Sequence, residues 1–164
     1  MSSDLPTSID IRVGTGVDVH AHSSTAPLRL AGLDWPGEPG LSGHSDGDVA
    51  CHAVVDALLA AAGLGSIGEL VGVDREETLG ADSTGFITQA LERLRDAGWV
   101  PVNVSVQIVA LRPRFAPRRA EAEARLSELV GAPVSVGATT SDGLGFTGRG
   151  DGIAAIAPAL IAGC

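Results

Sequence analysis

Aromatic residues are scarce in this chain: three Phe, two Trp and no Tyr among 164 residues. A core of that make-up has to be filled by Ala, Val, Leu and Ile. Hydrophobic residues nonetheless reach 45% and mean hydropathy is +0.25. So slight a core does not use up that much apolar surface, and part of it is expected between subunits. Basic residues are also few, 11 against 20 acidic ones, for a net charge of −9. That balance excludes the basic face that nucleic acid binding needs. No apolar run reaches the roughly 20 residues that span a bilayer. Met1 to Asp10 has neither the basic start nor the apolar stretch of a signal peptide, and it is not the Arg-rich start of a transit peptide. The two cysteines, Cys51 and Cys164, make no disulfide framework. Cys51 sits in an apolar helical pattern and reads as core. The cytosol is the default location.

The length suits one domain, with residues 1–10 as an N-terminal extension and 11–164 as the folded unit. Ile11 to His20 alternates strictly and reads as a strand. One face carries Ile11, Val13, Thr15, Val17 and Val19; the other carries Arg12, Gly14, Gly16, Asp18 and His20. Residues 28–43, rich in Gly and Pro, read as a short hairpin or loop. Ser45 to Gly63 is a helix, with Asp48, His52 and Asp56 spaced to share one face. A second helix runs from the N-cap Asp82 to Gly98. Val102 to Ala110 is a strand, a third helix runs from Pro117 to Gly131, and Val134 to Ala138 is another strand. A Gly-rich loop covers 139–152. Ile153 to Ala162 reads as a strand that Pro158 confines to an edge or bulge. The fold class is α+β: a mixed sheet with helices on one face.

Asp18 and His20 lie two residues apart on one strand face, and His52 can add a third ligand from a helix. Two histidines and one carboxylate suit zinc with an open fourth position. Spacing alone does not bring them together, since an Asp-x-His pair with a distant His also arises by chance. Asp48 and Asp56, each one turn from His52, fit as acceptors for its other ring nitrogen. They fit equally well as a helix-end partner and a solvated charge.

Three segments carry a resemblance to a known family. They are Gly16-Val17-Asp18-Val19-His20, His44-Ser45-Asp46-Gly47-Asp48-Val49-Ala50 with His52, and Thr139 to Gly150. Together with Gly80 to Ser83 and the Asn103 strand, they resemble 2-C-methyl-D-erythritol 2,4-cyclodiphosphate synthases over about residues 11–162. The resemblance implies a homotrimeric lyase of the non-mevalonate isoprenoid route, with active sites between subunits. It converts 4-diphosphocytidyl-2-C-methyl-D-erythritol 2-phosphate to the cyclic diphosphate and releases CMP. Asp18, His20 and His52 would hold one zinc, and Asp142 a Mg²⁺ or Mn²⁺ on the diphosphate. His44 and Thr140 match the residues that stabilise the transition state.

Ser66, Ile67 and Gly68, with Val71, Asp74 and Arg75, correspond to the segments that contact the erythritol part and its phosphate. Ala110, Pro113, Arg114, Phe115 and Ala116, with Ala138 to Thr140, resemble a cytidine pocket. Val19, Ser45, Ser141, Phe146 and Arg149 complete the implied substrate contacts. Arg149 lies near an axial channel able to take isoprenoid diphosphates, or pairs with Asp151. Arg112 and Arg118 read as a solvated basic patch, and Ser45 also fits as the N-cap of its helix.

The chain leaves the family pattern at Gly65-Ser66-Ile67-Gly68, where Asp is usual at the second position, and across 70–75. Ser66 precedes a short turn at which Ser and Asp are comparable N-caps. Arg114 replaces a usual Lys and Asp142 a usual Glu, both keeping charge sign. Two other classes compete: a zinc phosphohydrolase using metal-bound water, and a non-catalytic trimer that binds CMP or isoprenoid diphosphates.

Overall fold

The computed structural model of the chain describes residues 10–72 and 80–164. Asp74, Arg75 and nearly all of the N-terminal extension lie outside the described residues. Five strands form one mixed sheet in the order β2-β1-β5-β3-β4. They are β1 (Ile11–Leu30), β2 (Leu33–Leu41), β3 (Trp99–Val109), β4 (Val134–Thr139) and β5 (Gly152–Gly163). All neighbours are antiparallel except β3 and β4, which run parallel. The helices are α1 (Val49–Ala62), α2 (Ile67–Val71), α3 (Ser83–Asp96), α4 (Arg119–Val130) and α5 (Gly145–Arg149). The α+β class with a mixed sheet is the expected one, and so is the order of the long elements.

The site is positioned by the packing of β1 on α1. On β1 the buried face is the one bearing Gly14 and Gly16. A Cβ on Gly14 would come within 2.2 Å of the Ala57 carbonyl oxygen, and one on Gly16 within 2.0 Å of the Ala53 carbonyl oxygen. Only glycine permits that approach. Ala53, Ala57 and Ala61, spaced at i, i+4 and i+8, give the helix an equally low ridge. Two smooth surfaces therefore meet at backbone distance, and Asp18 and His20, farther along the same strand face, arrive beside His52.

The apolar face of β1 points the other way. Val13, Val17 and Val19 are 68%, 57% and 49% exposed, and Ile11 and, on β5, Ile156 are exposed beside them. The alternation is present, and the core lies on the glycine face. The reason is that the helix demands absent side chains rather than apolar ones.

Residues 28–43 form a true hairpin, not a loop. After pairing with β5 over Ile11–Ala21, β1 changes partner to β2 through an irregular register between His22 and Leu28. The turn Ala31-Gly32 has positive φ at both positions, 56° and 73°, the geometry two-residue hairpins favour. Alanine is strained there. The Asp48 carboxylate offsets the strain by accepting from the Ala31 and Gly32 amides at 2.9 and 2.7 Å.

Asp48 is also the N-cap of α1, accepting from the Ala50 and Cys51 amides at 3.1 Å each. Ser45 is therefore not the cap. Cys51 is in the core as expected; its burial, with the Asp48 charge beside it, pushes the thiol pKa up.

Two further expectations are corrected. β5 is not at an edge but lies between β1 and β3. The β3–β5 ladder keeps its register from Val104↔Ala159 to Gln107↔Ile156 but makes no pair at Ala157 or Pro158, so the missing proline N–H is absorbed by a two-residue gap. The Gly-rich segment 139–152 is not all loop, since it contains α5. Asp82 caps α3 as expected, accepting from the Thr84 amide at 2.9 Å.

Candidate active site

Asp18 and His20 of β1 and His52 of α1 converge: one ligand atom from each lies within 4.8 Å of the others. Asp18 Oδ2 is 3.0 Å from His20 Nε2 and 2.9 Å from His52 Nδ1. His52 is only 7% exposed, and the two imidazoles meet edge to face at 5.3 Å between centroids.

The outer nitrogens decide what the inner ones can do. His20 Nδ1 lies 2.5 Å from the Ser42 carbonyl oxygen, which only accepts. His20 therefore donates from Nδ1 and turns the Nε2 lone pair toward Asp18. His52 Nε2 faces Ser83 Oγ at 2.8 Å and Ser45 Oγ at 3.1 Å. Its Nδ1 thus joins the cluster, giving two nitrogens and a carboxylate oxygen around one point. When neither inner nitrogen carries a proton, such a set calls for a cation among them, and N₂O donors suit zinc.

Burial alone would raise the Asp18 carboxyl, but hydrogen bonds from His20 and His52 hold it far below the usual carboxylate range. His20 is raised above the ordinary imidazole value, chiefly by its hydrogen bond to Asp18 and against desolvation.

Around the triad lies a cavity of about 220 Å³, walled in part by His44, Ser45, Ile67, Gly68 and Val71. The implied erythritol segment and the transition-state histidine thus stand beside the cation position. His44 is exposed at the mouth, and its backbone carbonyl accepts from the Gly80 amide at 2.7 Å.

A second cavity, about 350 Å³, is lined by Ala110, Pro113, Arg114, Phe115, Ala116, Ala138, Thr139 and Thr140 together with Leu30, Ile108 and Leu111. The implied cytidine residues are therefore gathered as a set. The two cavities share no lining residue. Beside the second, Thr140 Oγ1 donates to Asp142 Oδ1 at 3.0 Å, and Asp142 itself has φ of 50°.

Ser141 is tied to Thr147 (2.7 Å), Phe146 is exposed, and Arg149 pairs with Asp151 at 2.9 Å. Val19 lies on the exposed sheet face, away from the triad. Arg118 is no free basic patch: it pairs with Glu121 at 2.8 Å and lies over the Trp35 ring, which stacks on Phe115 of the cavity wall.

The YgbB family model matches residues 11–162. A 2-C-methyl-D-erythritol 2,4-cyclodiphosphate synthase of Cutibacterium acnes is 55% identical over 93% of this chain and 92% of its own. The chain belongs to the cyclodiphosphate synthase family.

A bifunctional enzyme IspD/IspF of Clavibacter michiganensis is 60% identical over 92% of this chain, which spans only 37% of that relative's length. A solved bifunctional IspDF of Campylobacter jejuni superposes with TM-score 0.92 at 34% identity, over 98% of this chain and 45% of that one. A 2C-methyl-D-erythritol-2,4-cyclodiphosphate synthase solved in a CDP-bound form matches with TM-score 0.83 at 34% identity, over 92% of this chain and 99% of the other. Among the described residues of this family member, no helix is long and apolar enough to cross a membrane.

The neighbours expected for His52 are corrected here. Asp48 is taken up by four backbone amides, and Asp56 accepts from the Ile67 amide at 2.7 Å. Neither meets the imidazole; Ser83 and Ser45 do. Ser83 was hidden in the sequence because it follows an N-cap, where its buried hydroxyl looks like ordinary helix-start chemistry.

Proposed function

We propose that this chain cyclises 4-diphosphocytidyl-2-C-methyl-D-erythritol 2-phosphate to 2-C-methyl-D-erythritol 2,4-cyclodiphosphate, releasing CMP, as a zinc- and Mg²⁺- or Mn²⁺-dependent lyase in isoprenoid biosynthesis. The observation that carries this reading is the cluster of Asp18, His20 and His52 with its acceptors turned inward. The family membership and the CDP-bound relative support the nucleotide part.

The nucleophile is the substrate's own 2-phosphate, anionic at neutral pH because its second pKa is about 6. An oxygen of that group bonds to the β-phosphorus, the α–β bridge breaks, and its oxygen leaves with CMP. No general base is required, so what the protein supplies is positioning and charge neutralisation. Asp18, His20 and His52 would hold a zinc ion, which when bound would supply Lewis acidity at the diphosphate. Asp142, oriented by Thr140, would hold a Mg²⁺ or Mn²⁺ ion that neutralises diphosphate charge. His44 stands at the mouth of the triad cavity to donate toward developing charge, and Thr140 serves the same end from the cytidine side. Ala110 to Ala116 and Ala138 to Thr139 take the cytosine, with Arg114 reaching the phosphates. Ser66 to Gly68 and Val71, with Asp74 and Arg75, hold the erythritol.

The nucleotide cavity and the metal cluster belong to one reaction if a neighbour's cavity completes each site. The exposed apolar face of Val13, Val17, Val19 and Ile156 supports a trimer in which subunits pack on that face. Arg149, with its Asp151 partner, then stands near the axis, where an isoprenoid diphosphate can bind. The cytosol fits such a soluble biosynthetic role.

Purified protein with substrate, zinc and Mg²⁺ tests the reading by phosphorus NMR. Equal amounts of CMP and a cyclic diphosphate are expected, whereas a linear phosphate product or no turnover would refute it.

A further inference from the structure

His52 can bind a cation through either ring nitrogen, and only its surroundings choose. Those surroundings include two residues that the family resemblance assigns no role, Asp46 and Ser83. Building on the zinc site proposed above, we propose that Asp46 and Ser83 act as a positioning pair that commits His52 to metal binding through Nδ1.

One proton sets the preference. Ser83 is fully buried, so its hydroxyl cannot turn to water. Three groups lie within reach of its oxygen: Asp46 Oδ1 by a very short hydrogen bond, His52 Nε2 at 2.8 Å, and Ser45 Oγ at 3.3 Å. An ionised carboxylate only accepts, so the single Ser83 proton goes to Asp46. Ser83 Oγ is left with lone pairs toward His52, and the partner those lone pairs accept is Nε2–H. A neutral imidazole with its proton on Nε2 has its free pair on Nδ1, the atom facing Asp18.

Asp46 is itself fixed. Its carboxylate accepts from the Ser83 and Asp48 amides, both at 3.1 Å, its own amide donates to the Ala81 carbonyl at 3.0 Å, and Arg29 Nε lies 3.7 Å away. The pair thus locks segment 44–48 to the start of α3, and the lock ends on the metal ligand.

The pair matters because Asp18 pulls the other way. With its oxygen 2.9 Å from Nδ1, Asp18 favours a proton there, and a proton on Nδ1 blocks a cation. The Ser83 acceptor supplies the opposing preference. Hydrogen-bonded neighbours of metal ligands typically change metal affinity about 10–100-fold when removed.

The test measures zinc affinity by chelator competition on the intact protein, together with nitrogen-15 histidine NMR of the zinc-loaded form. In the wild type, His52 should show Nδ1 as the metallated nitrogen and a slowly exchanging proton on Nε2. Ser83→Ala should weaken zinc binding about 10–100-fold and speed exchange of that proton, and Ser83→Thr, which keeps the hydroxyl, should restore both. Metal on Nε2 in the wild type would overturn the proposal whether or not any variant folds. So would wild-type zinc affinity in Ser83→Ala, or equal losses in the Ala and Thr variants. A wild type that binds zinc through Nδ1 yet forms no cyclic product would sink the function and leave the pair standing; one that binds no zinc would sink both.

Discussion

Ser66 occupies the N-cap position of α2, yet its side chain makes no capping hydrogen bond. The next two residues, Ile67 and Gly68, wall the triad cavity. The Ser66 hydroxyl is thus not committed to the helix, and on the proposed reading it serves the substrate. A carboxylate there would accept from the erythritol hydroxyls more strongly, since hydrogen bonds to charged groups contribute about 1.5–3 kcal/mol against about 0.5–1.5 for neutral ones. Repulsion from the substrate phosphates offsets part of that. Ser66→Asp should lower KM about two- to fivefold with kcat little changed; steady-state kinetics showing an unchanged or higher KM would mean that Ser66 is not at the diol.

His52→Ala removes one of the three proposed ligands, so metal analysis should find zinc well below one per protomer, with CMP release abolished. Zinc content and activity at the wild-type level would dismiss the triad. Asp142→Asn should raise the Mg²⁺ concentration for half-maximal rate and leave zinc content alone; an unmoved Mg²⁺ dependence would make Asp142 a loop residue. At this scale the candidate triad was legible in the sequence, because Asp-x-His on a strand and His on a helix are residue types able to bind a metal where they meet, and the structure brings them together. The partners of His52 were not. Hydrogen bonds between segments 44–48 and 80–83 depend on tertiary approach, which periodicity does not encode.

Strand β1 and helix α1 are the elements that make the site, and the glycines of β1 are what let them touch. Gly16→Ala would set a Cβ 2.0 Å from the Ala53 carbonyl oxygen and 2.6 Å from the Ala57 amide nitrogen, both backbone atoms of α1 that cannot swing aside. Overpacking of this kind costs about 1–3 kcal/mol or more. It would also push His52 away from Asp18. Denaturant unfolding should show that loss, and zinc affinity should fall with it; a variant with unchanged stability and zinc binding would show that the approach is not what sets the site.

Asp48, 1% exposed and accepting from four amides, joins the hairpin turn to the start of α1. The hairpin and the helix were both readable from Gly, Pro and apolar spacing, but their junction was not. Ala31-Gly32 carries little turn signal of its own, and its geometry depends on a carboxylate 17 residues away. For the same reason β5 was misplaced: Pro158 argues for an edge locally, and only the whole ladder shows a gap that accommodates it.

At the scale of the molecule, the sheet covers one face with helices and leaves Val13, Val17, Val19 and Ile156 exposed on the other. An apolar face of that kind suits subunit packing. Light scattering at micromolar concentration should give a mass about three times that of the 16.5 kDa chain, and a monomer with full activity would refute the assembly. The excess of apolar residues over what so small a core can use raises the expectation of a partner, but which face leaves its apolar residues exposed was not legible in the sequence.

In the proposed reaction the substrate's own phosphate, not water, attacks the β-phosphorus, and turnover in water enriched in heavy oxygen distinguishes the two. Mass spectrometry should find no label in either CMP or the cyclic diphosphate. Heavy oxygen in a linear phosphate product would show that a metal-activated water is the nucleophile, and the cyclase account would fall.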